Sequence, residues 1–189
     1  MENTKLYAVP VYILAIFFNT DNAAILVFGD STVDAGNNNY IDTPLKANFF
    51  PYGQNYPGQK ATARFSDGEL VPDMLASALK IKEAVPPFLD TNLSDAEVIT
   101  GVSFASAGAK SHTLTFHHEL KLQQEIDFWK QIEECCGTVR FRNGTIMCTD
   151  DSNMWKNPKF IFWDAVHPSS STYRILFEHF EKFVLPKFL

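Results

Sequence analysis

Ala24-Ile25-Leu26-Val27-Phe28-Gly29-Asp30-Ser31 is the stretch whose reading decides the fold. Its apolar half is short and rich in strand formers, and it stops abruptly at Gly29-Asp30. Such a run reads as a buried strand that ends in a turn. The polar stretch Asp34-Ala35-Gly36-Asn37-Asn38-Asn39 that follows has the chemistry of a loop. Ser31 therefore sits just past a strand end. Ligands of open α/β sheets bind at the carboxyl ends of the strands.

A second strand end stands far along the chain. Phe160-Ile161-Phe162-Trp163 reads as a continuous apolar strand, with Asp164 directly after it and His167 three residues later. A serine hydroxyl is a weak nucleophile until a base takes its proton. Histidine can do so near neutral pH, and a carboxylate can orient the ring and stabilise the imidazolium. Each of these residues alone also fits an ordinary turn or helix cap. It is their joint placement at strand ends that makes Ser31, Asp164 and His167 a candidate catalytic set.

The intervening chain alternates in kind. Residues 40–68 read as a long loop carrying Pro44, Pro51, Gly53, Pro57, Gly58 and Gly68. Glu69 to Leu79 is expected to be a helix, with Ser66 and Asp67 available as caps. Pro86-Pro87 breaks the chain, and Val102 to Gly108 reads as a strand running into a tight turn. Glu119 to Ile132 has the apolar stripe of a second helix. Residues 135–158 read as irregular. A last helix is expected from about Ser170 to Leu185, with Leu176, Phe177, Phe180, Phe183 and Val184 on its apolar face and Pro186 ending it. Apolar strands alternating with amphipathic helices imply an α/β domain with a mainly parallel sheet.

The formal net charge of -6 argues against a nucleic-acid binder, which needs a basic patch. Lys5 precedes an apolar run, Leu6 to Phe18, broken only by Pro10. The run is shorter than the roughly 20 residues of a membrane-spanning helix. It has the size of a signal-peptide core, with Ala23-Ala24 as small residues near a cut. The expectation is a leader at residues 1–23, a single exported domain at 24–189 and no stable membrane anchor. The alternative for the run is a buried terminal strand or helix. Export makes Asn92-Leu93-Ser94 and Asn143-Gly144-Thr145 candidate N-glycosylation sites. Of Cys135, Cys136 and Cys148, one thiol is left over whichever pair bridges. No second close Cys/His pair accompanies them, so no zinc site is expected. The Gly29-Asp30-Ser31 turn also lacks the Gly-rich, Lys-bearing pattern of a phosphate loop.

Phe28-Gly29-Asp30-Ser31-Thr32-Val33-Asp34-Ala35-Gly36-Asn37-Asn38 closely resembles the first block of the plant GDSL esterase/lipases, a branch of the SGNH hydrolases. Further segments match in order: Asn48 to Gly53, Arg64 to Gly68, Gly101 to Gly108, Cys135 to Thr138 and Phe162 to Pro168. The resemblance implies a flavodoxin-like three-layer α/β sandwich and a secreted hydrolase of acyl esters, without cofactor or metal. It implies Ser31 as nucleophile, His167 as general base and Asp164 as its partner. It also implies an oxyanion hole built from the Ser31 N–H, the Gly108 N–H and an Asn from a Gly-x-Asn-Asp block. Lys110 stands where the family has a small residue.

No Gly-x-Asn-Asp occurs between Gly108 and Cys135. Family chains carry a long stretch there, so an internal deletion is expected near residues 110–119. His112, His117 and His118 fall in this unmatched region and receive no role. The expectation has two forms: an ester hydrolase, or a shortened and catalytically impaired product of one that at most binds lipid or carbohydrate.

Overall fold

Strand pairing starts from the stretch the sequence singles out. In the computed structural model the residues described are 7–9, 12–18, 23–109, 139–142, 145–148, 162–164 and 167–187, with backbone only for the strands outside 23–28. Tyr7–Val9 (β1), Tyr12–Phe18 (β2) and Ala23–Phe28 (β3) form an antiparallel sheet in that order. The β2–β3 register runs from Ile13 opposite Phe28 to Phe18 opposite Ala23. A segment joined to β3 by so short a connection can return only antiparallel, because a parallel neighbour needs a crossover of a dozen or more residues.

The other edge of β3 is paired in parallel. The Ile25 and Val27 N–H groups donate to Thr100 O (3.2 Å) and Val102 O (3.1 Å), while the Phe104 and Ser106 N–H groups donate to Val27 O (2.8 Å) and Gly29 O (3.2 Å). Segment 86–88 continues the ladder, with Ser103 N–H on Pro86 O and Phe88 N–H on Ser103 O, each at 2.9 Å. Among the described residues β3 therefore carries both kinds of pairing. Parallel pairing lies on one side of β3, and the named sheet is antiparallel. Pro87 pairs with Ser103 rather than breaking the chain. It needs no N–H because its nitrogen faces away from that neighbour.

The helices shift from their expected bounds for local reasons. Val71–Ala78 (α1) starts two residues later than read, because Asp73 Oδ2 reaches back to the Leu70 N–H at 3.0 Å and caps the helix itself. Ser66 and Asp67 are thus not its caps. Asp95–Ile99 (α2) was not read from the sequence, although Ser94-x-x-Glu97 is a capping-box pattern. Glu97 Oε2 accepts from the Ser94 N–H at 2.9 Å, and Ser94 Oγ accepts from the Glu97 N–H at 3.3 Å. Val139–Arg142 (β4) and Thr145–Cys148 (β5) pair antiparallel where the sequence reads irregular chain. The intervening Asn143-Gly144 is the pair most favoured between hairpin strands. The predicted helix 119–132, the strand start Phe160-Ile161, and Cys135 and Cys136 lie outside the described residues.

Ser170–Phe183 (α3) begins with the Ser169 hydroxyl accepting the Thr172 N–H at 3.3 Å. Its buried face is Tyr173 and Phe177, with Phe180 packed partly against the core. Leu176 and Phe183 are 51% and 49% exposed, which corrects their placement on the inner face. The helix ends at Phe183, and Pro186 falls within a following turn of 3-10 helix, Leu185–Lys187.

Two apolar clusters result. One joins Ile25, Val27 and Val33 to Leu70, Met74 and Leu75 near α1 and to Tyr173, Phe177 and Leu185. The other gathers Ala47, Tyr52, Phe65, Ala107 and Trp163. Parts of the 40–68 loop are thus interior, with Tyr52, Ala63, Phe65 and Ser66 each at most 1% exposed. No helix among the described residues is long and apolar enough to cross a membrane.

Candidate active site

Ser31 is the second residue of a turn closed by the Val33 N–H on Asp30 O at 3.2 Å. Asp30 Oδ1 accepts from the Thr32 N–H (3.0 Å) and the Thr32 hydroxyl (2.5 Å), so the side chains before and after Ser31 hold the turn. Ser31 itself is partly buried.

The Asp34-Gly36-Asn37-Asn38 stretch clamps this turn to the chain end that carries Gly108. Asp34, fully buried, accepts from the Gly36 and Asn37 N–H groups on Oδ1 (2.8 and 2.7 Å) and from the Ala107 N–H on Oδ2 (3.0 Å). Burial pushes its carboxyl above the ordinary range, and these backbone N–H groups partly offset that. Asn37 Nδ2 donates to Ser103 O (2.7 Å) and Ala105 O (2.8 Å), and Asn38 Nδ2 donates to Ala107 O (3.0 Å). Asn38 Oδ1 accepts from the Ser106 hydroxyl (2.6 Å) and the Ala107 N–H (3.1 Å). The sequence showed this stretch only as loop chemistry.

Gly108 adopts φ +83°, so the backbone conformation selects glycine, while a Cβ there would press on the movable end of Leu45 at 2.6 Å. Among the described residues, no protein acceptor takes the N–H of Ser31 or of Gly108. Both remain free to donate to a ligand oxygen.

Asp164 and His167 share one short loop. The Trp163 N–H donates to His167 O at 2.7 Å, and Phe162 bridges Pro168. Asp164 Oδ1 accepts from the His167 N–H at 2.8 Å, while Oδ2 lies 2.6 Å from His167 Nδ1. Both side chains are buried, at 2% and 5% exposure. With Nδ1 on the carboxylate, Nε2 is left as the imidazole's working nitrogen. Phe65 packs its ring 5.0 Å from that of His167. The structure thus brings Asp164 and His167 together directly. It links them to the Ser31 loop through the cluster of Phe65, Tyr52 and Ala107, and no hydrogen bond joins Ser31 to His167 among the described residues.

A row of aromatic rings borders the strand that leads to Ser31. Phe28 stacks on Phe104 at 5.1 Å, and Phe104 meets Phe88 at 4.5 Å. All three rings are 38–48% exposed. No cluster of His, Cys, Asp and Glu suited to a metal ion occurs among the described residues.

The family model for GDSL-like lipase/acylhydrolase matches residues 25–134, more than half of the 189 residues. The chain belongs to this family. Three GDSL esterase/lipases of Arabidopsis thaliana illustrate the likeness. One is 64% identical over 92 residues, 49% of this chain and 26% of the relative. A second is 58% identical over 93 residues, with the same shares. A third is 48% identical over 120 residues, 58% of this chain and 33% of the relative. The chain spans about a quarter to a third of the length of these curated relatives. No solved structure matches. The family implies an α/β hydrolase-like fold and ester hydrolysis as its chemistry. Ser31 and Gly108 lie inside the matched range, while Asp164 and His167 lie beyond it.

Proposed function

We propose that this chain carries a serine ester hydrolase site in which Ser31 attacks an acyl carbonyl, His167 takes its proton and Asp164 holds the imidazolium. The observation that carries the reading is the buried Asp164–His167 pair at 2.6 Å, with the carboxylate on Nδ1. Attack would form an acyl-enzyme and release the alcohol, protonated by His167. Water, deprotonated by the same ring, would then free the acid. The Ser31 and Gly108 N–H groups would receive the carbonyl oxygen as charge develops on it. The exposed ring row Phe28, Phe104 and Phe88 favours an ester with an apolar acyl part.

The parallel ladder of 86–88, 100–106 and β3 supports a flavodoxin-like three-layer sandwich from which middle strands have been lost. The lost stretch would fall near residues 110–119. We read residues 1–23 as a leader, the mature chain as secreted, and the exposed Asn92 as a glycosylation site, with Asn143 as a second.

The decisive experiment is labelling by a fluorophosphonate probe. Wild type reacts and Ser31→Ala does not. A folded wild type that stays unlabelled overturns the proposal. A second reading, an impaired product of a longer enzyme, has its own support: no Gly-x-Asn-Asp block is present. Losing one oxyanion donor costs about 100- to 1000-fold in rate. That reading predicts labelling of Ser31 with turnover of a short-chain aryl ester reduced by about that factor relative to a full-length relative.

A further inference from the structure

Among the described residues, two groups meet Asp164 Oδ2. One is the His167 ring at 2.6 Å and the other is the Tyr52 hydroxyl, also at 2.6 Å. Tyr52 lies over a hundred residues away in sequence, in the 40–68 loop, yet its side chain is 1% exposed and fixed. Its ring meets Phe49 at 5.5 Å and Phe65 at 5.9 Å, both edge-on, and its N–H donates to Phe49 O at 3.1 Å. Phe65 in turn packs on His167. The phenol is therefore aimed at one carboxylate oxygen by packing on two sides.

We propose that Tyr52 is a positioning residue for the Asp164–His167 pair, sharing Oδ2 with the imidazole and thereby setting both the ring's direction and its hold on a proton. This rests on the hydrolase reading only for the consequence in catalysis.

The ordinary alternative is a core tyrosine that merely satisfies its hydroxyl. The partner argues otherwise. Tyr52 bonds to the atom that binds His167, so its donation competes with the ring for the same charge. A neutral donor spreads the carboxylate charge and weakens its grip on an imidazolium. Removing that donor should leave His167 holding its proton to higher pH. Burial first, and the Asp164 charge second, push the Tyr52 phenol far up, so it remains a neutral donor throughout such a titration. Asp67 is also packed against this loop, accepting the Ser170 N–H at 2.6 Å. The Arg174–Glu69 pair lies on the exposed flank of α3. Neither is altered by the substitutions below.

The test follows the His167 ring by nitrogen-detected NMR, with the signal assigned by its loss in His167→Gln. In Tyr52→Phe the titration midpoint of that signal should rise, because the imidazolium then faces the undivided carboxylate charge. The acid limb of fluorophosphonate labelling should move with it. Replacing Tyr52 by 3-fluorotyrosine keeps the shape and strengthens the donor, so the midpoint should fall. An unmoved midpoint in either chain overturns the proposal, and the fluorotyrosine chain decides alone if Tyr52→Phe does not fold. An unlabelled wild type whose midpoint still responds to Tyr52 overturns the hydrolase reading and upholds the positioning role. Labelling with an unresponsive midpoint does the reverse.

Discussion

Residues 25–109 and residues 162–187 both bury polar groups, but they satisfy them differently. In the first region the partners are internal. Arg64 forks onto Asp73 with two bonds of 2.8 Å and adds Val85 O at 2.9 Å and Ala35 O at 3.1 Å. Asn37 and Asn38 fasten one loop to the 103–107 strand end. In the second region internal bonds such as that of Asp164 to His167 are joined by borrowed ones. Tyr52 holds Asp164, the Ser66 hydroxyl donates to Pro168 O at 3.2 Å, and Asp67 receives the Ser170 N–H. The first region is a platform, and the second is docked on it. The candidate site is split between them, with Ser31 and Gly108 on the platform and Asp164 and His167 on the docked loop. Weakening the platform should therefore cost both stability and site geometry. Weakening the outer face of the docked part should cost neither.

The largest effect should come from Arg64. Burial alone would draw its guanidinium down, but the Asp73 carboxylate outweighs that and raises it. Arg64→Leu leaves Asp73 buried without its counter-charge, a loss of about 3–5 kcal/mol in comparable pairs. Thermal unfolding should show a large drop in Tm, and fluorophosphonate labelling should fall with it. Arg64→Leu with Asp73→Leu should recover part of the loss. A single variant as stable as wild type would mean that the platform does not depend on this pair.

The platform was also the harder region to read. β3 and the Ser31 turn were legible because a short apolar run ending in Gly-Asp is a local signal. Asp164 and His167 were legible because they lie three residues apart. Tyr52, Arg64 and Asp34 were not, since their partners are distant and no periodicity announces a side chain buried in a loop. The proline- and glycine-rich 40–68 segment read only as a long loop, yet its side chains supply the fixed polar bonds that let loop backbone enter the interior. Leu176 and Phe183 failed for the opposite reason. A helix stripe gives the apolar residues but not how much of the stripe meets a neighbour.

Asp34 offers a smaller and pH-dependent way to probe the platform. Its folded carboxyl is raised, with burial as the first cause. Above its unfolded value the native state therefore keeps a proton that the unfolded chain has lost. Stability from this group falls as pH rises through the window just above 3.8 and is lower beyond it. Denaturant midpoints of wild type and Asp34→Asn, compared across that window, should show wild type losing ground to the variant as pH increases. A difference that moves the other way would mean that the backbone N–H groups outweigh burial and hold the carboxylate ionised.

The smallest effect should come from the outer face of α3. Leu176 and Ile175 are 51% and 66% exposed, whereas Phe177, next in sequence, is 7% exposed and packs in the core. Leu176→Ser removes apolar surface that water already reaches, so its cost should stay within about 0.5 kcal/mol. Chemical denaturation reads that figure directly, and esterase labelling should be unchanged because this face makes none of the bonds that hold Asp164 or His167. A cost well above it would mean that another part of the chain covers Leu176. The docked helix would then be held from two sides.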